Sequence, residues 1–432
     1  MSLNLEQQYA LDLAKDGISF FLTGPGGSGK SYVLETICNE LRHEKKIVAV
    51  TAMTGCAALL LGHHAKTLHS WAGVGLAKEP ANSLIQRIRQ SPKTLRRWLV
   101  TDTLIVDEVS MLTPEFLEKL SSIAMAVRRS MAPMGGLQVI FVGDFFQLPP
   151  VNKDSRNGVP STFVFESPLW KAIVPVKVEL KQIVRQQDPV FHEILEEARL
   201  GRLSKKSLDI LKTRQNLPWQ DQEIRPTLLF SRRAEVDHVN SSNLKALKGQ
   251  RYTFKAQTCL LPTMSIQNLD LESDEVKFHI QRLDRDAPYS PELVLAVGAQ
   301  VMLVMNMDYE LGLVNGSRGV VTGFTEDALH LPLVKFKSGN PMPIGPATWD
   351  SEDLEGLQRQ QIPLRLAYAL TIHKAQGATL DCALIDIGQS TFEYGQAYVA
   401  LSRVRSLDSL YIWDLEEGAF KTHEKVADFY KV

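Results

Sequence analysis

The sequence predicts an α/β protein whose parallel sheets are covered by helices on both faces. Short apolar runs at 18–23 (ISFFLT), 47–51 (IVAVT), 104–107 (LIVD) and 139–143 (VIFVG) alternate with stretches of helical pattern. Strands buried on both faces read as continuous apolar runs, which is how parallel sheets look in sequence. The first run ends in a glycine cluster that leads directly into a helix. The length of 432 residues, at roughly 150 per domain, leaves room for about three domains.

Composition narrows the class. Hydrophobic residues make up 44% of the chain, enough for sizeable cores, which excludes a disordered chain, a fibre or a disulfide miniprotein. Lys+Arg is 48 and Asp+Glu is 49, a net charge of −1. A balanced total leaves room for a local basic groove, so composition does not decide about polyanionic partners. Cys38, Cys56, Cys259 and Cys382 are far apart and form no CxxC pair, as expected for free thiols in a reducing compartment. The N-terminal MSLNLEQQ has no signal or transit pattern, and the apolar run 57–61 is far short of the ~20 residues that span a bilayer. A soluble, intracellular protein without membrane contact is expected, in the cytoplasm of a prokaryote or the nucleus or mitochondrion of a eukaryote.

The elements follow in order. A helix is expected from Lys30 to about Arg42. The polar and basic segment 73–99, with Lys93, Arg96 and Arg97 beside Trp98, interrupts the rhythm and reads as an insertion on the sheet. The rhythm resumes at VKVEL from Val176, a helix over 189–199 and an apolar run over 227–231. Between 249 and 353, glycines, prolines and β-branched residues dominate (VGAQVMLVMN, GSRGVVTGF, LPLVKF), which suggests a small β-barrel inserted in a second α/β domain. Residues 364–388 return to strand–loop–strand, and 396–404 read as a helix. The expected domains are 1–72 with 100–180, an insertion at 73–99, 181–248 with 354–432, and the barrel at 249–353.

Gly24-Pro25-Gly26-Gly27-Ser28-Gly29-Lys30-Ser31 matches GxxxxGK[ST] between a strand and a helix, the context this phosphate-binding motif requires. Its glycines let successive backbone N–H groups turn onto phosphate oxygens, and the helix N-terminus adds its positive dipole end. Lys30 supplies charge to the β- and γ-phosphates, and the Ser31 hydroxyl can ligate Mg²⁺. Asp107 and Glu108 follow an apolar strand, at the end where α/β sheets place ligands. Asp107 is expected to hold Mg²⁺ and Glu108 to polarise an attacking water. The nearest candidate for the guanine-reading NKxD, at 152–155, has Ser where Asp is needed, and no LSGGQ signature occurs. A two-lobed motor NTPase remains.

Further strings carry a resemblance. VGDFFQLPP (142–150), AYALTIHKAQG (367–377) and YVALSR (398–403) resemble motifs III, V and VI of superfamily-one helicases. TAMTGCAA (51–58) and TLHSWAG (67–73) resemble motifs Ia and Ib, and LNLEQ (3–7) resembles the adenine-reading Q motif. With the counterpart of a signature segment at 115–136 and the barrel sequence LGLVNGSRG (311–319), the chain resembles the PIF (petite integration frequency) family of DNA helicases. That family belongs to the B branch of superfamily one, with RecD and Dda as relatives.

The resemblance implies two RecA-like P-loop NTPase domains, with a wedge insertion in the first and a small barrel in the second. Gln7 would read adenine, and Gly24 to Ser31 together with Gly377 would line the nucleotide site. Arg403 and Arg185 would reach the γ-phosphate, where a planar guanidinium pairs with phosphate oxygens. Gln147 and Gln376 would sense that phosphate. Thr54, Thr67, His69, His373 and Lys374 would contact single-stranded DNA. The implied activity is ATP-dependent 5′-to-3′ translocation that unwinds tailed or forked duplexes, with G-quadruplexes and RNA–DNA hybrids as further family substrates. Roles in replication, repair and recombination go with it, and a monomer is the simplest state. An RNA-directed motor and a non-enzymatic binder with a decayed ATPase are the competing readings.

Overall fold

The computed structural model describes residues 3–62, 65–150, 162–183, 188–220, 222–261, 270–308, 311, 313–337, 339–351, 354 and 356–431. Arg185 and the 152–155 string therefore lie outside the described residues. The chain forms two compact units: Met1–Leu203 with Glu393–Ser402 and Phe420–Val432, and Ser204–Phe392 with Arg403–Ala419.

In the first unit the elements run α1 (Leu5–Lys15), β1 (Phe20–Thr23), α2 (Lys30–His43), β2 (Val48–Ala52), α3 (Gly55–Leu61), β3 (Lys66–Thr67), α4 (Leu68–Ala72), α5 (Ala81–Gln90) and α6 (Pro92–Val100). They continue with β4 (Thr103–Asp107), α7 (Pro114–Arg128), β5 (Gln138–Gly143), α8 (Trp170–Ile173), β6 (Val176–Glu179) and α9 (Pro189–Arg199). The six strands form one sheet in the order β3-β2-β4-β5-β1-β6, with every neighbouring pair parallel. Phe20, Leu22, Ile105, Ile140 and Val142 of the sheet pack with Val33, Ile37 and Leu41 of α2 and with Ala10 and Ala14 of α1 into one core. Burial on both faces explains why these strands read as unbroken apolar runs.

The 73–99 segment folds as α5 and α6, and α5 packs on α7. Trp98 is fully buried, its indole N–H donates to the Ala72 carbonyl at 3.0 Å, and its ring lies 4.6 Å from that of Trp71. Lys119 of α7 donates to the carbonyls of Ala77 and Glu79, and Arg128 donates to those of Trp98 and Thr101. Two basic side chains of α7 thus satisfy backbone groups within the insertion and just after it.

The expected domain divisions differ from the observed units at both ends. Helix α9 and the helix α14 (Gln396–Leu401) pack together in the first unit. The same unit holds α15 (Glu424–Lys431), whose Phe429 meets Phe21, Phe145, Phe165 and Trp170 in an aromatic cluster. Large aromatic area buried at one place decides membership, whatever the order along the chain.

The second unit holds α10 (Lys205–Lys212), β7 (Thr227–Phe230), α11 (Arg233–Ala246), β18 (Ala369–Thr371), α13 (Ile372–Ala375), β19 (Ala383–Ile387) and β20 (Leu410–Leu415), whose strands form a parallel sheet in the order β18-β7-β19-β20. Between β7 and β18 lie smaller antiparallel sheets. One has the order β14-β13-β12-β11-β17, from Met342–Pro343, Pro332–Phe336, Arg318–Phe324, Gln300–Leu303 and Leu364–Leu366. A second pairs Ala347–Asp350 (β15) with Leu357–Gln361 (β16) and the latter with Gln257–Leu260 (β9), and a third pairs Glu292–Ala296 (β10) with Arg251–Lys255 (β8). Strands therefore continue beyond 353, and a helix, α12 (Asp274–Asp286), interrupts them. Arg359 of β16 holds this helix through two hydrogen bonds to Asp284, at 2.9 and 2.8 Å. Among the described residues no helix is long and apolar enough to cross a membrane. Cys38, Cys259 and Cys382 carry free thiols.

Replacing Trp98 by Ala removes the buried ring that ties α6 to α4 and is expected to cost about 3–5 kcal/mol. A drop in the urea midpoint of the first unit, followed by tryptophan fluorescence, checks this. An unchanged midpoint would mean that the insertion is not anchored through this ring.

Candidate nucleotide and nucleic-acid sites

The order β4-β5-β1 sets side by side the loops that follow these strands, because all run parallel. Those loops carry the GxxxxGKS motif after β1, Asp107 and Glu108 after β4, and the turn from Asp144 to Gln147 after β5. The first loop is built for close backbone approach. Gly24 has φ of +148°, and a Cβ there would lie 2.5 Å from the Leu180 carbonyl oxygen. Gly29, at φ of 86°, precedes α2 without a side-chain cap, so the first N–H groups of this 14-residue helix face the loop. Lys30 Nζ donates to the carbonyls of Gly24 and Pro25, at 2.7 and 2.9 Å. Burial lowers its pKa, against the pull of Asp144, Glu108 and Asp107. The Ser28 hydroxyl is buried with no hydrogen-bond partner, while Ser31 is exposed at the helix start. The Gly26 N–H donates to the Tyr398 hydroxyl at 2.7 Å.

Asp107 and Glu108 are half-buried. Glu108 takes a left-handed backbone conformation with φ of 55°, and its N–H donates to Asp107 Oδ1 at 2.8 Å. Burial and the neighbouring Glu108 push the Asp107 carboxyl up, to about 7. A divalent cation would relieve both effects. The hydroxyl of Ser31 and the two carboxylates are hard oxygen donors of the kind Mg²⁺ takes, so these residues fit that ion.

Gln147 is buried, and its N–H closes the turn on the Asp144 carbonyl at 3.0 Å. Gly395 presses on this turn: its φ is +70°, and a Cβ there would lie 2.3 Å from the Phe146 carbonyl oxygen and 2.8 Å from that of Gln147. Gln7 is buried too, but its side-chain oxygen accepts the Asn4 N–H at 3.0 Å in the capping box of α1. Its local duty is therefore to start that helix.

In the second unit Gln376 and Gly377 form the turn after α13, with Gly377 at φ of 79°. Arg403 is 2% exposed, and its Nη1 donates to the carbonyls of Ala375 and Ala378 on either side of that turn. The structure thus brings Gln376, Gly377 and Arg403 together.

Of the residues expected to meet DNA, Thr54 and Thr67 cap α3 and α4 by accepting the N–H groups of Ala57 and Ser70. His69 stacks on Phe116, with ring centroids 4.3 Å apart. The pair lines a cavity of about 240 Å³ with Met53, Leu76, Thr113 and Lys119. In α13 of the second unit, His373 is half-buried with its pKa lowered by burial, and Lys374 is exposed. Sequence reasoning assigns no role to Phe116, Tyr398, Arg199 or Tyr430. Phe116 and Tyr398 stand inside motif strings, which is the signal that could have found them. Arg199 and Tyr430 gain meaning only from partners distant in the chain.

The profile of the PIF1-like helicase family matches residues 2–211, and that of the DNA helicase Pif1 2B domain matches 280–324. The chain is 39% identical over 430 residues to a Homo sapiens protein named ATP-dependent DNA helicase PIF1, covering 99% of this chain and 63% of that protein. It is similar in fold to the crystal structure of Pif1 helicase from Candida albicans, with 35% identity, a TM-score of 0.80, and 100% and 99% of the two chains covered. Bacteroides Pif1 bound to ssDNA is 27% identical with a TM-score of 0.68, covering 100% of this chain and 97% of that one. The chain spans a little under two thirds of the length of the Homo sapiens and Danio rerio proteins named ATP-dependent DNA helicase PIF1. Motif order, sheet order and these likenesses agree: the chain belongs to the PIF1-like helicase family.

Proposed function

We propose that the protein is an ATP-dependent DNA helicase that moves 5′ to 3′ on single-stranded DNA and unwinds duplexes in genome maintenance. The observation that carries this is the alignment of three loops at the C-terminal ends of neighbouring parallel strands, bringing Lys30, Asp107, Glu108 and Gln147 to the same end of the first sheet. ATP phosphates take the loop amides and draw Lys30 from the Gly24 and Pro25 carbonyls that hold it. Glu108 polarises the attacking water, and Gln147 orients to the γ-phosphate. Ser31 and Asp107 would hold Mg²⁺, which would supply charge neutralisation on the phosphate oxygens. Arg403 serves as the γ-phosphate finger. That role is assigned by resemblance, on its place in YVALSR. Arg185 is assigned a similar role by resemblance alone.

Thr54, Thr67 and His69 of the first unit and His373 and Lys374 of the second are the proposed DNA contacts, Gln376 relays the nucleotide state, and Gln7 and Gly377 border the nucleotide. The stacked His69–Phe116 pair supports base stacking, which is worth about 1–3 kcal/mol per base in sequence-tolerant binding. G-quadruplexes and RNA–DNA hybrids are proposed as additional substrates of a soluble intracellular monomer.

Strand separation with ATP and Mg²⁺ tests this reading directly. A partial duplex with a 5′ tail is expected to unwind and one with a 3′ tail is not; the reverse pattern overturns the polarity. ATPase stimulated more by RNA than by matched DNA overturns the choice of substrate.

Lys30→Ala is expected to abolish turnover. Glu108→Gln should keep nucleotide affinity while turnover falls by about 10²–10⁴-fold. Near-normal turnover in a steady-state ATPase assay would remove Glu108 as the base. Arg403→Ala should lower turnover far more than nucleotide affinity, since a finger of this type contributes about 10³–10⁵-fold to rate.

Asp107 also makes a stability prediction. Its raised pKa favours the neutral form in the fold, so its contribution to stability is present below its unfolded pKa and is lost as pH rises through about 7. Without Mg²⁺, Asp107→Asn should therefore raise the melting temperature by a few degrees at pH 8. The gap should close towards about pH 4, where the carboxyl is also becoming neutral in the unfolded chain.

A further inference from the structure

Asp144 begins the turn that presents Gln147, and it is fully buried. A buried carboxylate persists only when it is paired and hydrogen-bonded. Arg199, the last residue of α9, supplies a two-pronged pair: Nε to Oδ2 and Nη2 to Oδ1, each at 3.0 Å. Its guanidinium lies over the Phe146 ring, 4.4 Å from the centroid, and 5.3 Å from that of Tyr430. Tyr430 stacks on Phe146 with centroids 4.8 Å apart. Its hydroxyl accepts the Phe145 N–H at 3.2 Å and lies 3.5 Å from Asp144 Oδ1 and 2.6 Å from the Thr23 hydroxyl. Thr23 is the last residue of β1, immediately before Gly24. One phenol therefore ties the root of the phosphate loop to the turn that carries Gln147.

We propose that Tyr430 and Arg199 are positioning residues that hold the Asp144–Gln147 turn in register with the phosphate loop. The inference rests on the ATPase reading above. Neither side chain is assigned to the nucleotide. They act through Gln147 and through the Asp144 carboxylate, whose charge bears on Lys30. Arg199 fixes the direction of the carboxylate by its fork, which an ammonium cannot reproduce. Tyr430 fixes the spacing between the two loops, because a single oxygen meets both Thr23 and the Phe145 backbone. Helix α15 does not need that oxygen to stay in place, since Phe429 and the Tyr430 ring keep their aromatic contacts without it.

The test uses the full chain with Mg²⁺ and saturating single-stranded DNA. Tyr430→Phe keeps the ring and removes the oxygen. The expected result is a fall in kcat of about tenfold with the KM for ATP within about twofold and the melting temperature nearly unchanged. Thr23→Val, which cuts the same bridge from its other end, should give a similar fall. The double variant should be no worse than either single one, because all three sever one connection. Arg199→Lys retains the charge without the fork and should also lower kcat, which covers the case in which Arg199→Ala does not fold. Unchanged kcat in Tyr430→Phe would overturn the proposal. So would losses that add in the double variant, or that track a fall in melting temperature with KM rising alongside, since these mark a purely structural part. A wild-type chain without ATPase activity would instead overturn the functional reading, and this inference with it.

Discussion

Strand β5 lies between β1 and β4, parallel to both, and most of what this protein can do follows from that placement. A parallel strand delivers whatever follows it to the same edge as its neighbours. Three loops from distant parts of the chain then meet without a dedicated scaffold of their own. Strand β5 is buried throughout its length, so the turn after it starts in an apolar setting. Asp144 at that point needs a cation, and the fold provides Arg199 from a helix 55 residues further on. The fold at this point is a set of consequences of one central strand.

The two units use backbone carbonyls in related ways. Lys30 is held by the carbonyls of its own loop, and Arg403 by carbonyls on either side of the Gln376 turn. Each cation is thereby held against the partial negative charge of carbonyl dipoles. A phosphate competes well for a cation held in this way, because a full charge attracts it more strongly than a dipole does.

Contiguous chemistry is legible in the amino-acid order. The phosphate loop, the paired acids after β4 and the glutamine after β5 are local patterns whose meaning survives in a linear string. The parallel sheet is legible as well, since burial on both faces leaves unbroken apolar runs. What stays hidden depends on distant pairs. Tyr430 lies 286 residues from Asp144, and nothing near either residue announces the other. Helices α9, α14 and α15 read as parts of the second domain because of their place in the chain; packing and buried aromatic area assign them to the first unit. Gln7 closes the capping box of α1, a duty that only geometry shows. Helix α12 is masked in the sequence by the β-rich pattern around it.

The inserted strands are joined to the parallel sheet of their own unit by more than the chain. Arg318, at the start of β12, is buried, pairs with Asp381 and donates to the Arg225 carbonyl. Gly316 has φ of +96°, and a Cβ there would lie 2.9 Å from the Thr379 carbonyl oxygen. This seam lies just beyond the Gln376 turn. The inserted sheets are consequently not a cassette that could be excised or exchanged with a relative's at its two chain junctions. A transplanted insertion would have to bring an arginine and a glycine in the same relation, or leave Asp381 without its Arg318 partner. Whatever reshapes these sheets over evolutionary time must carry their seam along, which ties the history of the insertion to that of the Gln376 turn beside it.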